Sequence, residues 1–140
     1  MDVNVKSQFF LCRAAAKPMK VANWGRIINF SSRAAHTGGF YGTSVYAVSK
    51  GGVVSLTKNF ARLFGTNNIT VNAIAPGLVD TRMVSGAMTE EAINNVTSTM
   101  PVGRMTEPEE IAMYAAFLAT ESAGAITGYT LDINGGMLMR

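Results

Sequence analysis

Apolar and polar residues follow one another along this chain at spacings that predict two long helices. From about Val5 to Ala22, apolar side chains recur at helical intervals with charged residues between them. Pro18 should kink this helix or end its regular part. A second helical pattern runs from Ser44 to Phe64, and Gly65 is a natural stop for it.

The last third of the chain predicts further helices. Thr106-Glu107-Pro108-Glu109 reads as a capping box with proline in the first turn, which would start a helix running to about Thr120. Residues 78–105 form an irregular region in the prediction, apart from a helix from Thr89 to about Thr99.

Three short apolar runs predict buried strands, at Arg26–Ser31, Ile69–Ile74 and Tyr129–Ile133. Because helices and strands alternate, the prediction is an α/β fold with a parallel sheet. Parallel sheets hide both faces and usually have more than three strands. The chain also starts on a helix with no strand before it. We therefore expect residues 1–140 to form one partial domain, the C-terminal part of a larger doubly wound domain.

Composition and charge exclude several classes of protein. The chain is 48% hydrophobic and 15% charged, which argues against disorder, and its net charge of +3 comes from scattered Lys and Arg. Nucleic-acid binding is therefore not predicted. The longest apolar runs fall short of the roughly 18 residues that span a membrane. The start, Met1-Asp2-Val3-Asn4, lacks the bases of a signal peptide, so a cytoplasmic protein is expected.

The candidate chemistry begins with a tyrosine and a lysine four positions apart, Tyr46 and Lys50, near the start of a predicted helix. Such residues share one helix face. A phenol has a pKa of about 10, and a nearby ammonium favours the phenolate, so such a pair can move a proton at neutral pH. By itself the pair is equally consistent with an exposed amphipathic helix face.

Two neighbouring segments strengthen this interpretation. Ser32 follows a predicted strand, and its hydroxyl could hydrogen-bond the same substrate oxygen, although serines there more often cap a turn. Pro76-Gly77 closes the second strand, with Thr81 just beyond it. Pro-Gly alone indicates a turn, but ligands bind at the carboxyl ends of parallel strands. The single cysteine, Cys12, fits a small buried residue, and no residue is assigned to a metal.

Taken together, these motifs resemble the short-chain dehydrogenase/reductase family, and they do so in order along essentially the whole chain. The motifs are Asn4, Ile27-Ile28-Asn29-Phe30-Ser31-Ser32, Tyr46-x-x-x-Lys50, Asn72-Ala73-Ile74-Ala75-Pro76-Gly77 with Thr81, and Gly128-Tyr129-x-Leu131-Asp132-x-Asn134-Gly135-Gly136. The resemblance implies a Rossmann-type domain and an oxidoreductase that moves a hydride between NAD or NADP and a carbonyl or alcohol.

The resemblance also implies a role for each matched residue. Tyr46 would be the catalytic acid-base, and Lys50 would favour its phenolate and bind the nicotinamide ribose. Ser32 would polarise the substrate carbonyl, and Asn4 would hold a water in a proton relay to Lys50. The nicotinamide would be seated by the segment after the second strand, namely Pro76, Gly77, Val79 and Thr81. Asn29 matches a position that is usually structural.

The family's N-terminal half has no match in this sequence. Its Gly-rich turn holds the cofactor pyrophosphate on a helix N-terminus, but Gly38-Gly39 and Gly51-Gly52 do not follow a strand directly into a helix. The residue that selects NAD or NADP is missing too. We therefore expect this chain to be inactive alone, its parent being the active enzyme.

The substrate pocket is predicted from the loop after Ser32 and the segment after Thr81. Its apolar lining suits a medium or acyl-chain substrate, although ordinary packing would explain each residue as well; the candidates are His36, Phe40, Tyr41, Met83, Val84, Met88 and Val96. Gly51 and Gly52 would let another helix approach closely. In the family the two long helices form a subunit interface, which implies a homo-oligomer, a dimer or tetramer.

Among family members, the general resemblance is to 3-oxoacyl-acyl-carrier-protein reductases. Those tend to carry arginines where this chain has Asn23 and Asn67, although Arg26 and Arg62 lie nearby. Two other interpretations stay open. One is a structural or regulatory member without catalysis, against which the intact catalytic set argues. The other is a truncated product that acts only by oligomerising with full-length subunits, which an exposed sheet edge at the first strand would motivate.

Overall fold

A computed structural model describes residues 1–39 and 42–140. A π-helical turn, Asp2–Lys6, leads into α1, Ser7–Ala22. Apart from two 3₁₀ turns, Gly65–Asn67 and Glu121–Ala123, the remaining elements are, in chain order, β1 Gly25–Phe30, α2 Ala34–Thr37, α3 Ser44–Phe64, β2 Ile69–Pro76, α4 Arg82–Ala87, α5 Glu90–Thr97, α6 Pro108–Leu118 and β3 Thr130–Ile133. In these ranges none of the helices is long and apolar enough to cross a membrane.

The three strands form one parallel sheet in the order β1-β2-β3. This confirms the predicted α/β architecture with flanking helices. β2 lies in the centre, and its residues from Ile69 to Ala75 are all buried. Gly25 pairs with Ile69 and Ala73 pairs with Thr130, so the carboxyl ends of the strands lie at one edge.

A separate hydrophobic core covers each face of the sheet. On one face, Ile69 and Val71 pack with Phe60 and Phe64 of α3 and with α1. On the other, Ile74 packs with Ile111 and Leu118 of α6. Because successive strand residues point to opposite faces, β2 supplies both cores.

The two long helices end at Ala22 and Phe64 as predicted, but the local structure at these ends differs from the expectation. α1 continues through Pro18 to Ala22 and ends at Asn23, whose φ is 49°. α3 does end at Phe64, but Gly65 keeps a right-handed conformation and begins a short 3₁₀ turn. The left-handed residue there is Asn68, with φ 54°. Asparagine tolerates this conformation better than most residues, which suits Asn23 at the end of α1 and Asn68 at the end of the 3₁₀ turn before β2.

The predicted capping box is displaced by one residue. Glu107 is the N-cap of α6, and the Glu110 carboxylate accepts its backbone N–H at 2.8 Å. Thr106 is unavailable as the cap because it is buried in a parallel bridge with Val79. The region after β2 is also more regular than predicted, since α4 precedes the expected helix, which is α5 and begins at an N-cap, Thr89.

β1 has an open edge in the described sheet, because its pairing is to β2 alone. The amides of Gly25 and Ser31 both donate toward the β2 side, to Asn68 and Ile74. The alternation of a strand then turns the backbone groups of Ile28 and others of even number toward the open side. Such an edge is a template for pairing with another strand.

The start of α6 provides a test of stability against pH. Hydrogen bonds from the Arg104 guanidinium, at 2.7 and 2.9 Å, and from the Glu107 amide lower the pKa of Glu110 to about 2. A carboxyl with a lowered pKa stabilises the fold above its ordinary value of 4.5, and that contribution is lost as the pH falls through about 2.

We therefore expect Arg104→Met to lower the free energy of unfolding at pH 7, with the difference from wild type narrowing as the pH falls from 4.5 toward 2. Urea unfolding across this range measures it. Lys6→Met, which breaks the exposed pair with Asp2, is the control and should change little. If the difference in the free energy of unfolding between Arg104→Met and the wild type stayed constant with pH, the assigned stabilisation of Glu110 by Arg104 would be contradicted.

Candidate active site

Ser32 is positioned by backbone pairing that continues beyond the end of β1. The Ser31 amide donates to Ile74 O at 2.8 Å, and the Arg33 amide donates to Pro76 O at 3.0 Å. Ser32 therefore lies beside the end of β2. Its Oγ accepts the Ala34 amide at 3.2 Å, the turn-capping bond common for serine. Because the oxygen is the acceptor in this bond, the hydroxyl proton stays available to another group.

Two hydrogen bonds join α3 to the carboxyl end of β1 at Lys50. The Ser31 hydroxyl donates to the Lys50 carbonyl at 2.9 Å, and the Lys50 ammonium donates to Phe30 O at 2.9 Å. The same ammonium lies 5.6 Å from the ring centroid of Tyr46. Burial lowers the pKa of Lys50 from its ordinary value. The Tyr46 and Lys50 side chains are thus neighbours at the end of the sheet.

A cavity of about 240 Å³ opens at this edge and brings together residues from several parts of the chain. Ser32, Tyr46, Pro76 and Gly77 line it, all of them predicted site residues. Its wall includes Met88 and Val96, which were predicted for the substrate pocket, and also Met137, which was not. The cavity therefore places the hydroxyl-bearing side chains of Ser32, Thr43 and Tyr46 beside a largely apolar wall.

Asn4 is held against the start of α3 rather than in the cavity lining. Its Nδ2 donates to Ser49 Oγ at 3.0 Å, and the Ser49 hydroxyl donates to the Tyr46 carbonyl at 2.7 Å. Gly52 packs closely on the same turn, since a Cβ there would lie 3.3 Å from a methyl carbon of Val5. A close approach at Gly52 thus occurs within the chain.

The segment after β2 runs back along the sheet end. Gly77 lies so close to Asn134 that a Cβ would come within 2.8 Å of its Cα. The Thr106 amide donates to Leu78 O, and the Asp80 amide donates to Thr106 O. In this parallel bridge the backbone amide and carbonyl of Val79 point away from Thr106. The Thr81 hydroxyl donates to that carbonyl at 3.5 Å.

Other predicted lining residues do not reach the cavity. His36 lies on α2 and Met83 is 82% exposed on α4; neither they nor Val84 line it. Phe40 and Tyr41, also predicted here, lie outside the described residues.

Several residues around the site have structural roles. No role was predicted for Ser31 or Ser49. Each lies next to a predicted site residue in the sequence, and this proximity was a signal that could have identified both. Asn29 is buried, donates to Thr57 Oγ1 at 3.0 Å and accepts the Cys12 thiol at 3.4 Å. Burial raises the pKa of that thiol, in keeping with a packing role. The guanidinium of Arg26 stacks on the ring of Trp24, with its Cζ 4.9 Å from the ring centroid.

Comparisons with known proteins show what the whole chain is similar to. A family model described as enoyl-(acyl carrier protein) reductase matches residues 1–138. The chain is 41% identical over 139 residues to a 3-oxoacyl-acyl-carrier-protein reductase of Rickettsia bellii and 41% identical to one of Vibrio cholerae. It also superposes on a crystal structure described as that of a betaketoacyl-ACP reductase, with a TM-score of 0.85 at 41% identity over 96% of this chain.

These matches define the class of fold, an α/β domain built on a parallel sheet. The chain belongs to the short-chain dehydrogenase/reductase family. It spans 57% of the Rickettsia bellii protein, 56% of the Vibrio cholerae protein and 56% of the solved chain.

The approach of Gly77 to Asn134 predicts a specific loss of stability. Gly77→Ala should lower the free energy of unfolding by about 1–3 kcal/mol, because the new methyl meets backbone that cannot turn aside. Gly86→Ala is the matched control, since a Cβ there meets nothing within 4 Å and alanine suits a helix better. Urea unfolding compares them, and equal stabilities would contradict the close approach.

Proposed function

We propose that this chain carries the proton-transfer half of an NAD(P)-dependent oxidoreductase that reduces a carbonyl to a secondary alcohol, or catalyses the reverse. The observation that supports it most is the cavity lined by both Ser32 and Tyr46, with the Lys50 ammonium 5.6 Å from the tyrosine ring. Carbonyl reduction must deliver a proton to an oxygen, and these three side chains provide donors for that purpose.

Each of these residues has a distinct task in the proposal. Tyr46 gives its phenolic proton to the substrate oxygen, and the Lys50 ammonium stabilises the phenolate that forms. Ser32 donates its hydroxyl proton to the same oxygen, since its own oxygen already accepts the Ala34 amide. Asn4 holds the first turn of α3 through Ser49, which fixes where Tyr46 stands. Preorganised donors of this kind stabilise charge as it develops.

The residues present fit the nicotinamide end of the cofactor. Lys50 uses one ammonium donor on Phe30 O and has further donors for a ribose. The backbone amide and carbonyl of Val79 point away from Thr106, and this donor and acceptor together suit a carboxamide. Thr81 adds a hydroxyl. Tyr46, Lys50, Pro76, Gly77, Val79 and Thr81 would hold this end. When bound, NAD or NADP supplies the hydride chemistry.

A 3-oxoacyl thioester is the substrate class we propose. The wall of Met88, Val96 and Met137 suits an acyl chain, and the two hydroxyls suit a ketone oxygen. Reduction of an enoyl group, the reaction in the description of the matched family model, would place the new proton on carbon instead. An acceptor oxygen makes better use of the Ser32 and Tyr46 hydroxyls.

The open edge of β1 supports the proposal that residues 1–140 are one part of a larger doubly wound domain. A further parallel strand would pair with the even-numbered backbone groups of β1, and its unit would supply the phosphate-binding turn. We also propose a homo-oligomer, a dimer or tetramer, because Phe10 and Leu63 leave apolar side chains exposed on the two long helices. Cytoplasmic location stays a prediction.

The open edge of β1 also favours a second candidate function. A chain with an unpaired strand could act only by assembling with full-length subunits, without turnover of its own. Activity measurements separate the two candidates, because this second function needs none of the proton donors in the cavity.

The decisive experiment fuses the N-terminal part of the Rickettsia bellii reductase ahead of Met1 and measures NADPH oxidation with a 3-oxoacyl thioester. We expect turnover by the chimera and none by the 140-residue chain alone. Turnover by the isolated chain would overturn its expected inactivity. A folded chimera that oxidises NADPH only with an enoyl thioester would overturn the substrate proposal.

Tyr46→Phe in this chimera should lower kcat/KM by about 10²–10⁴-fold, because the phenolic proton donor is lost while the ring remains. Tyr129→Phe is the matched control, since its side chain is 56% exposed and does not line the cavity. Equal activity of the two variants would contradict the role of Tyr46.

A further inference from the structure

The segment after β3 folds back on itself around Asn134, whose side chain is buried. The carboxamide of Asn134 uses both of its ends. Its Nδ2 donates to Leu138 O at 3.1 Å, and its Oδ1 accepts the amides of Gly136 at 3.0 Å and Leu138 at 3.4 Å. The Met137 amide donates to the Asn134 carbonyl at 3.1 Å. One buried residue therefore fixes the backbone on both sides of Met137.

A second connection ties the same segment to β3. The Arg140 guanidinium donates from Nε to Asp132 Oδ2 at 2.8 Å and from Nη2 to Thr130 O at 3.3 Å. Hydrogen bonds between charged groups are stronger than neutral ones. Met137 thus lies in a short loop that is held to the strand at both ends, by Asn134 and by Arg140.

Close packing also holds the backbone just before Met137. Gly136 has a φ of 82°, and a Cβ there would lie 2.7 Å from Cγ of Pro101. Gly135 packs on the methyl carbon of Met100, a side chain that is itself buried. Because this backbone is both hydrogen-bonded and closely packed, the Met137 side chain extends from a fixed point.

That fixed point brings Met137 into the wall of the cavity that Ser32 and Tyr46 line. Met88 and Val96 in the same wall come from the residue after α4 and from α5. In the described chain these two short helices contain no buried residue. Met137 is therefore held more firmly than either of its apolar neighbours in the wall.

The cavity is also small. Its volume of about 240 Å³ falls below the roughly 300–1,000 Å³ of pockets for drug-sized ligands. A fixed apolar wall discriminates between ligands by length, because one methylene more or less in such a pocket changes kcat/KM by about 10–200-fold. Methionine is long and unbranched, so its side chain fills space that a smaller residue would leave open.

We infer that Met137 is a specificity-determining residue: its side chain closes the acyl side of the cavity and limits the substrate to a short 3-oxoacyl chain. The hydrogen bonds of Asn134 and Arg140 hold it in that place. The inference rests on the proposed function, since it concerns the substrate of the same site.

The test compares two substrates in the chimera described above, the 3-oxobutanoyl and 3-oxooctanoyl thioesters of N-acetylcysteamine. Met137→Ala should raise the ratio of kcat/KM for the longer substrate to kcat/KM for the shorter one by about 10–200-fold. Met137→Phe fills more of the cavity and should lower this ratio. Met139→Ala is the matched control, because Met139 is 75% exposed and does not line the cavity.

Three results would overturn the inference. The ratio of the two kcat/KM values could stay at the wild-type value in Met137→Ala. It could change as much in Met139→Ala. It could also move in the same direction in Met137→Ala and Met137→Phe, as a general disturbance of the site would make it do.

A binding measurement on the 140-residue chain needs no turnover. The nine methionines are labelled with ¹³C at the methyl carbon, and the signals of Met137 and Met139 are assigned with Met137→Leu and Met139→Leu. The 3-oxobutanoyl thioester should shift the Met137 signal and leave that of Met139 in place. An unshifted Met137 signal would overturn the inference. A folded chimera that turns over neither thioester, while the Met137 signal still shifts, would count against the proposed function alone.

Discussion

Burial of β2 on both faces and along both edges is the constraint on which the rest of this structure depends. Its side chains supply the core under α3 and α1 on one face and the core under α6 on the other. Its backbone pairs with β1 and β3 in a fixed register. Because both pairings are parallel, Ser32 and Gly77 meet at one sheet end, where Tyr46 arrives on α3. The candidate site is a consequence of that shared edge.

Within the site, geometry comes from residues with no chemical task of their own. The Ser31 hydroxyl holds α3 in place by donating to the Lys50 carbonyl. Ser49 accepts a hydrogen bond from Asn4 and donates one to the Tyr46 carbonyl, so it connects Asn4 to the first turn of α3. Substitution of such residues would move Tyr46 without changing any group in the proposed reaction. This separation of support from chemistry is typical of precise sites, in which supporting hydrogen bonds lock the reacting side chains.

Periodicity was sufficient to predict the strands and the two long helices, because buried faces repeat at regular intervals. The start of α6 was harder, since it depends on a contact distant in sequence: Thr106 looked like a cap but forms the bridge to Val79. The proline in α1 did not end it, and asparagines rather than Gly65 adopt the left-handed conformation. The resemblance indicated the site residues, whereas Met137 reaches the cavity only through the fold of the C-terminal segment.

In the proposed function, Tyr46, Ser32 and Lys50 serve reduction at a carbonyl. The most direct measurement supplies the chimera with NADPH deuterated at the nicotinamide C4 position and locates the label in the product by NMR. We expect deuterium on C3 of a 3-hydroxyacyl thioester, formed about 10²–10⁴-fold more slowly by Tyr46→Phe. Deuterium in a saturated acyl chain, or the same labelled alcohol formed at an unchanged rate without the Tyr46 hydroxyl, would contradict it.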